Sequence, residues 1–195
     1  MFESFIVKLK DALAAYAPET LNDPSLKQAA VLVLVSSRNR ELCVLFTKRT
    51  EAVAYHKGEI SFPGGARDCG DSDLRATALR ETEEELGIKP SDVIVMGELD
   101  DIATGSGFCV RPFVGVTKEG YTVTPNRAEI DSVIEVPLQV LLSPESRRAE
   151  TRWINGRPVR AWSFVYQGHL IWGATGRIVD KLGVVVGKAE QGVNR

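Results

Sequence analysis

Between Arg80 and Ile88 the chain reads Arg-Glu-Thr-Glu-Glu-Glu-Leu-Gly-Ile. On a helix, at about 100° per residue, Glu81, Glu84 and Glu85 fall within an arc of about 100°, while Leu79, Thr82 and Leu86 gather on another side. One flank is therefore expected to be buried and the other to carry carboxylates. Like charges on adjacent turns repel, and acids near a helix C-terminus oppose the helix dipole. Stability alone gains nothing from that placement. A hard divalent cation such as Mg²⁺ or Mn²⁺ resolves the conflict, because it takes oxygen ligands and commonly bridges carboxylates to phosphates. A solvated acidic face is the ordinary reading of an isolated glutamate run. Here Gly64-Gly65 upstream lets backbone approach a ligand closely, and Arg80 can pair with a carboxylate or tie the preceding loop to the helix.

The elements that must hold these residues follow from periodicity. Phe2, Phe5, Ile6, Leu9, Leu13 and Tyr16 recur at helical spacing, which predicts an amphipathic helix over residues 2–16. Ala29–Ser36 and Leu42–Lys48 read as strands joined by a polar connection through Ser36–Glu41. Ile60–Phe62 adds a short strand before Pro63-Gly64-Gly65. The glutamate helix spans about Ser72–Leu86 and ends at Gly87. Val93–Leu99 and Val110–Thr117 are further strands, and Pro137–Leu142 a short helix; Ile130–Val136 has no clear period. Arg152–Ile154 and Val159–Tyr166 suggest a hairpin turning at Asn155-Gly156. Ala174–Val186 forms a last helix, and residues 188–195 a polar flexible tail. With neither repeats nor linkers, one domain over 1–195 is expected, an α/β fold with helices on both faces of a mixed sheet.

Composition narrows the partners. The chain has 195 residues, 44% hydrophobic and 26% charged, with a formal net charge of -2. A profile of that kind is globular and lacks the basic excess that nucleic-acid binding needs. The apolar run Ala29–Val35 is too short to cross a bilayer, and the first residues do not form a secretory signal, so no membrane partner and a cytoplasmic setting are expected. Three cysteines without a CxxC pair speak against a zinc site or a disulfide framework. Cys43 and Cys109 read as core residues.

The segment from Gly58 to Ile88, GEISFPGGARDCGDSDLRATALRETEEELGI, resembles the Nudix box, a glycine and a spacer followed by R-E-U-x-E-E-x-G-U with U a bulky apolar residue. Gly65, Arg80, Glu81, Glu84, Glu85, Gly87 and Ile88 fit it. Thr82 occupies a position that is usually apolar, and Asp71 stands for the usual acid with one extra residue before Arg80. The resemblance implies a Nudix-like α/β/α sandwich with a mixed β-sheet, and Mg²⁺ or Mn²⁺ held by Glu81 and Glu85, with Glu84 as a further ligand. It implies hydrolysis of nucleoside diphosphates linked to another moiety, with the cation stabilising phosphoryl charge and acidifying an attacking water. Glu84, Glu85, Arg80 and Glu129 make up the expected catalytic set, Glu129 serving as proton acceptor from outside the box; Glu98 and Glu135 are its alternatives.

Leu45, Thr47, Arg49, Gly58, Phe62, Pro63, Gly64 and Gly65 are similar to the signature preceding the box in the coenzyme A diphosphatase branch, roughly LLTxR[S/A]xxxRxxxGxxxFPGG. The second signature arginine falls at Ala54 instead. The implied substrate is coenzyme A or a derivative, split into 3′,5′-ADP and 4′-phosphopantetheine. Arg49, Gly64, Gly65 and Arg111 are the expected substrate-binding residues, with Lys48 and Lys57 as further cations and His56 as a lesser candidate. A second reading is hydrolysis of ADP-ribose, a dinucleoside polyphosphate or a nucleoside triphosphate. A third is a binding module without catalysis, which the complete set of box glutamates opposes. A homodimer is left open. His169 carries no motif, and Trp153, Trp162 and Trp172 read as packing residues.

Overall fold

A strand buried on both faces organises the layers. In the computed structural model, which describes residues 2–38, 41–51, 58–118, 120–154 and 157–191, β1 (Lys27–Arg38) sends Ala30, Leu32 and Leu34 into one apolar cluster and Val33 and Val35 into another. Successive side chains point to opposite faces of a strand, so a continuous apolar run marks a strand covered on both sides.

Around β1 lie β2 (Glu41–Arg49), β3 (Ile60–Ser61), β4 (Gly64–Ala66), β5 (Val93–Glu98), β6 (Ile102–Ala103), β7 (Phe108–Thr117) and β8 (Ile130–Pro137). The main path runs β3-β2-β1-β7-β5, with β4 against β1, β6 against β7 and β8 against β2. β1 and β7 run parallel, while β2 and β4 meet β1 antiparallel, so the sheet is mixed. One face is covered by α1 (Phe2–Ala14) and α4 (Gly173–Gln191), through Leu9 and Leu13 and through Ile178, Val179, Leu182, Val185 and Val186. The other face carries α2 (Leu74–Leu86), whose Ala78 and Leu86 pack on Ala30, Leu32, Leu34, Leu45 and Phe113. The expected α/β/α sandwich is the observed architecture.

Several local expectations change. Ser36, Ser37 and Arg38 belong to β1, paired with Cys43, Leu42 and Glu41, rather than to a connection. The stretch of unclear period is β8, bound to β2 along its length and followed by α3 (Leu138–Leu142). The suggested hairpin is longer than its apolar core. β9 (Arg147–Ile154) and β10 (Arg157–Tyr166) pair in register, and β11 (His169–Ile171) joins them in a second, three-stranded sheet. The turn proposed at Asn155-Gly156 lies outside the described residues. α4 continues through Lys188 to Gln191, so the first four residues of the supposed tail are helical. Cys43 and Cys109 are buried as expected.

The segment after α1 is fastened by two buried acids in the turn between β5 and β6. Asp100 accepts hydrogen bonds from the Tyr16 hydroxyl at 2.6 Å and the Glu19 N–H at 3.0 Å, and its other oxygen lies 2.5 Å from Lys181 Nζ on α4. Asp101 accepts from the Leu21 N–H at 2.9 Å. Burial alone would push the Asp100 carboxyl up, but the bonds from Lys181, Tyr16 and Glu19 outweigh it and hold the group below its ordinary value. A depressed carboxyl contributes stability that is complete above the unfolded value of about 3.9 and fades as pH falls through the folded value. Asp100→Asn should therefore lower stability at pH 7 by about 2–3 kcal/mol. Thermal unfolding followed from pH 7 to pH 3 checks this. The wild-type advantage over the variant should shrink toward the acid end.

Candidate active site

Asp73 starts the glutamate helix: its Oδ1 accepts from the Ala76 N–H at 2.7 Å. Gly87 ends it in the left-handed region, φ 68°, with its N–H donating to the Glu83 carbonyl. Thr82, the polar residue at a normally apolar position, is fully buried, and its hydroxyl donates to the Ala78 carbonyl at 2.7 Å. The helix bond satisfies the hydroxyl, so the departure costs little.

The carboxylate flank is graded rather than uniformly exposed. Glu84 is exposed, Glu81 half-buried, and Glu85 buried at 3% exposure, whereas Leu79, assigned to the buried flank, is only partly covered. Glu85 turns beneath the Pro63-Gly64-Gly65 segment, where its Oε2 accepts from the Gly64 N–H at 3.4 Å. Burial pushes its carboxyl up to about 7; Arg49 and the Gly64 N–H oppose that rise, and the charges of Glu81 and Glu129 add to it. Burial also raises Glu81, against the pull of Arg80.

Arg80 distributes these charges. Its Nε and Nη2 donate to the two oxygens of Asp71 at 2.9 and 3.0 Å, and Nη1 donates to Glu81 at 2.8 Å and Glu84 at 3.0 Å. Nη2 also reaches the Ala66 carbonyl at 3.3 Å. Asp71 in turn accepts from the Asp68 N–H and the Thr77 hydroxyl, each at 2.9 Å. The guanidinium holds the Asp71 carboxyl well below the usual carboxylate range. Arg80 thus ties loop to helix and carboxylates to one another, and Asp71, the box acid displaced by one residue, is its anchor.

The glycine pair makes the contact possible. A Cβ on Gly65 would stand 2.5–2.6 Å from the Glu81 carboxylate, and one on Gly64, at φ 152°, would stand 2.3 Å from the Ala30 carbonyl. At Gly64 the backbone of β1 leaves no room for a side chain, and at Gly65 any side chain would displace the Glu81 carboxylate.

Residues from outside the box arrive by two routes. Arg49 closes β2, with Nη1 3.3 Å from Glu85 and Nη2 3.6 Å from Glu129. The Thr124 and Asn126 N–H groups cap the Leu86 and Glu85 carbonyls, and the Thr50 N–H donates to the Glu129 carbonyl. This loop satisfies the end of α2 and delivers Glu129 to the cluster. Glu135 instead binds Arg38, and Glu98 lies beside Arg111. Lys48 faces Asp131 at 3.6 Å. Arg111 is on β7 and pairs with Asp101 at 2.8 Å. Ala54, His56 and Lys57 lie outside the described residues. Sequence reading missed Asp101, for which no spacing signal links it to Arg111.

The NUDIX domain family model matches residues 26–162. The chain belongs to the Nudix hydrolase family. It is 36% identical over 165 residues to a protein of Photorhabdus laumondii named "Uncharacterized Nudix hydrolase NudL", covering 85% of this chain and 87% of that relative. It is also 36% identical to "Nudix hydrolase 22, chloroplastic" of Arabidopsis thaliana over 82% of this chain, but over only 55% of the longer plant protein. The fold matches a MutT/nudix family protein of Enterococcus faecalis with a TM-score of 0.54 at 14% identity, over 92% of this chain and 71% of that one. The chain is accordingly a Nudix pyrophosphohydrolase of a nucleoside diphosphate derivative, and Nudix hydrolases generally need divalent metals.

The donors suit such an ion. They are hard carboxylate oxygens, and among the described contacts the buried Glu85 has only long ones, 3.3 Å to Arg49 and 3.4 Å to the Gly64 N–H. Among the described residues no three acidic, His or Cys side chains close into a ready cage. Arg80 and Arg49 hold the carboxylates instead, so any cation bound among them would share them with these arginines. Gly65→Ala should dislodge Glu81 and lower the hydrolysis rate by about 100-fold or more while leaving the far-ultraviolet circular dichroism spectrum unchanged. A steady-state assay on the folded variant reads the loss.

Proposed function

We propose that this Nudix hydrolase cleaves the diphosphate of coenzyme A or a derivative, giving 3′,5′-ADP and 4′-phosphopantetheine, with Mg²⁺ or Mn²⁺. The observation that carries the reading is the run Leu45, Thr47, Arg49, Gly58, Phe62, Pro63, Gly64 and Gly65 set directly before the box. Its two described parts lie against the same carboxylates: Arg49 at Glu85 and Glu129, and Gly64-Gly65 at Glu85 and Glu81.

Glu81 and Glu85 would hold the cation, with Glu84 at the exposed margin. A bound divalent cation supplies neutralisation of the diphosphate and a more acidic water. Arg80, fixed by Asp71, keeps the Glu81 and Glu84 oxygens oriented. Arg49 offers a planar fork suited to a phosphoryl oxygen. Glu129, half-exposed and within reach of Arg49, accepts the proton of the attacking water. The Gly64 N–H holds Glu85 and the bare backbone of Gly65 makes room for the Glu81 carboxylate, so this segment fixes both carboxylates where a cation and the substrate's phosphates would meet. The three thiols are all free, which suits a reducing, cytoplasmic setting.

Ala54, in place of a signature arginine, favours a second reading in which the substrate is another nucleoside diphosphate derivative such as ADP-ribose. Incubation with coenzyme A and Mg²⁺ or Mn²⁺, followed by chromatography, tests the first. Both named products should form, and cleavage of ADP-ribose but not of coenzyme A would contradict it. In the same assay Glu85→Gln should lose about 10³-fold or more in rate. Unaltered activity would remove Glu85 from the site.

A further inference from the structure

Arg111 is a charged residue within an apolar strand. Its neighbours Val110, Pro112, Phe113 and Val114 are all buried, while Arg111 itself is partly exposed. The fork is half used. Nε and Nη2 donate to the two oxygens of Asp101 at 2.8 and 2.9 Å. Nη1 has Glu98 Oε2 at 4.0 Å, which is beyond hydrogen-bond range. Asp101 itself is almost inaccessible, its side chain 2% exposed, and it is fixed from behind by the Leu21 N–H. An arginine oriented by a buried carboxylate presents its remaining edge in one direction at little further entropic cost.

Register gives that direction a meaning. Phe113, two residues along β7, belongs to the cluster under the carboxylate helix, and alternate residues of a strand share a face. Ala30, in register with Arg111, is in the same cluster, and on its other side Ala30 pairs with Gly65. Arg111 therefore stands on the α2 side of the sheet, two strand spacings or about 10 Å from the glycine that touches Glu81. A group on the far part of a nucleotide, bound with its diphosphate at Glu81 and Glu85, can reach that place. Among the described residues an anion taking Nη1 competes only with Glu98, whose side chain is 35% exposed and can be solvated instead.

We infer that Arg111, held by Asp101 as a positioning residue, forms a subsite for a phosphate group remote from the bond cleaved, and so selects substrates that carry one. Under the coenzyme A reading, on which this rests, that group is the 3′-phosphate, and Arg111 supplies the cation missing at Ala54.

The test compares wild type, Arg111→Gln, Arg111→Lys and Asp101→Asn, each checked for folding by thermal unfolding, on substrate pairs differing by one phosphate. The pairs are coenzyme A with dephospho-coenzyme A, and 2′-phospho-ADP-ribose with ADP-ribose. Wild type should prefer the phosphorylated member. Arg111→Gln should raise KM for that member about tenfold, with kcat and the unphosphorylated member little changed. Arg111→Lys, which keeps charge without the fork, and Asp101→Asn, which keeps charge without the anchor, should lose part of the preference. A merely structural role would lower kcat/KM equally for both members, and that result overturns the inference. Cleavage of the ADP-ribose pair alone defeats the coenzyme A reading, while the subsite still stands or falls on the loss of discrimination in that pair. Cleavage of neither pair defeats both.

Discussion

Everything at this site turns on keeping several carboxylates close together in partly buried surroundings. Glu81, Glu84 and Glu85 share one helix flank, Asp71 lies behind them, and Glu129 is brought in from a later loop. In that setting an unpaired charge costs several kcal/mol, so the arrangement persists only with cations among the acids. Arg80 binds Asp71, Glu81 and Glu84 at once, and Arg49 spans Glu85 and Glu129. The two arginines do not exhaust the demand, since the described partners of the buried Glu85 stand at 3.3 Å (Arg49) and 3.4 Å (the Gly64 N–H). The remaining deficit is what a divalent ion can supply.

The fold serves this concentration of charge by removing side chains where the backbone must come near. β4 is three residues long, and two of them are glycines whose missing Cβ atoms would collide with Glu81 or with β1. β1 sits at the centre because it can be buried on both faces, and its register carries Gly65 on one side and Arg111 on the other. One strand thus sets the spacing between Gly65, beside the Glu81 carboxylate, and the subsite inferred at Arg111. On the opposite face, Asp100 joins Tyr16 to Lys181 and closes the covering layer of helices.

Sequence made the local chemistry legible and the long-range chemistry mostly illegible. The box helix and its glycine end follow from spacing, because helix geometry acts over a few residues. The glycine pair signals a close approach of backbone but not its partners, Glu81 and Ala30, which lie far along the chain. The burial of Glu85 did not follow, since it depends on the Pro63-Gly64-Gly65 segment crossing above that helix position. The meeting of Arg49 with Glu129 depends on β2 pairing with β8, a strand whose period is obscured by its mixture of faces. The Asp101–Arg111 pair joins the turn before β6 to β7 and carries no motif. The second sheet was half visible: β9 begins with charged residues that conceal a strand, and β11 is only three residues long.

The central claim is that these carboxylates form a cation site and not a solvated acidic face. Electron paramagnetic resonance of free Mn²⁺, titrated against the purified chain without substrate, measures it directly. The account predicts saturable binding to the wild type that falls sharply in Glu81→Gln and Glu85→Gln and survives in Glu135→Gln, whose parent side chain binds Arg38. Binding that is absent from the wild type, or equal in all four proteins, would contradict it.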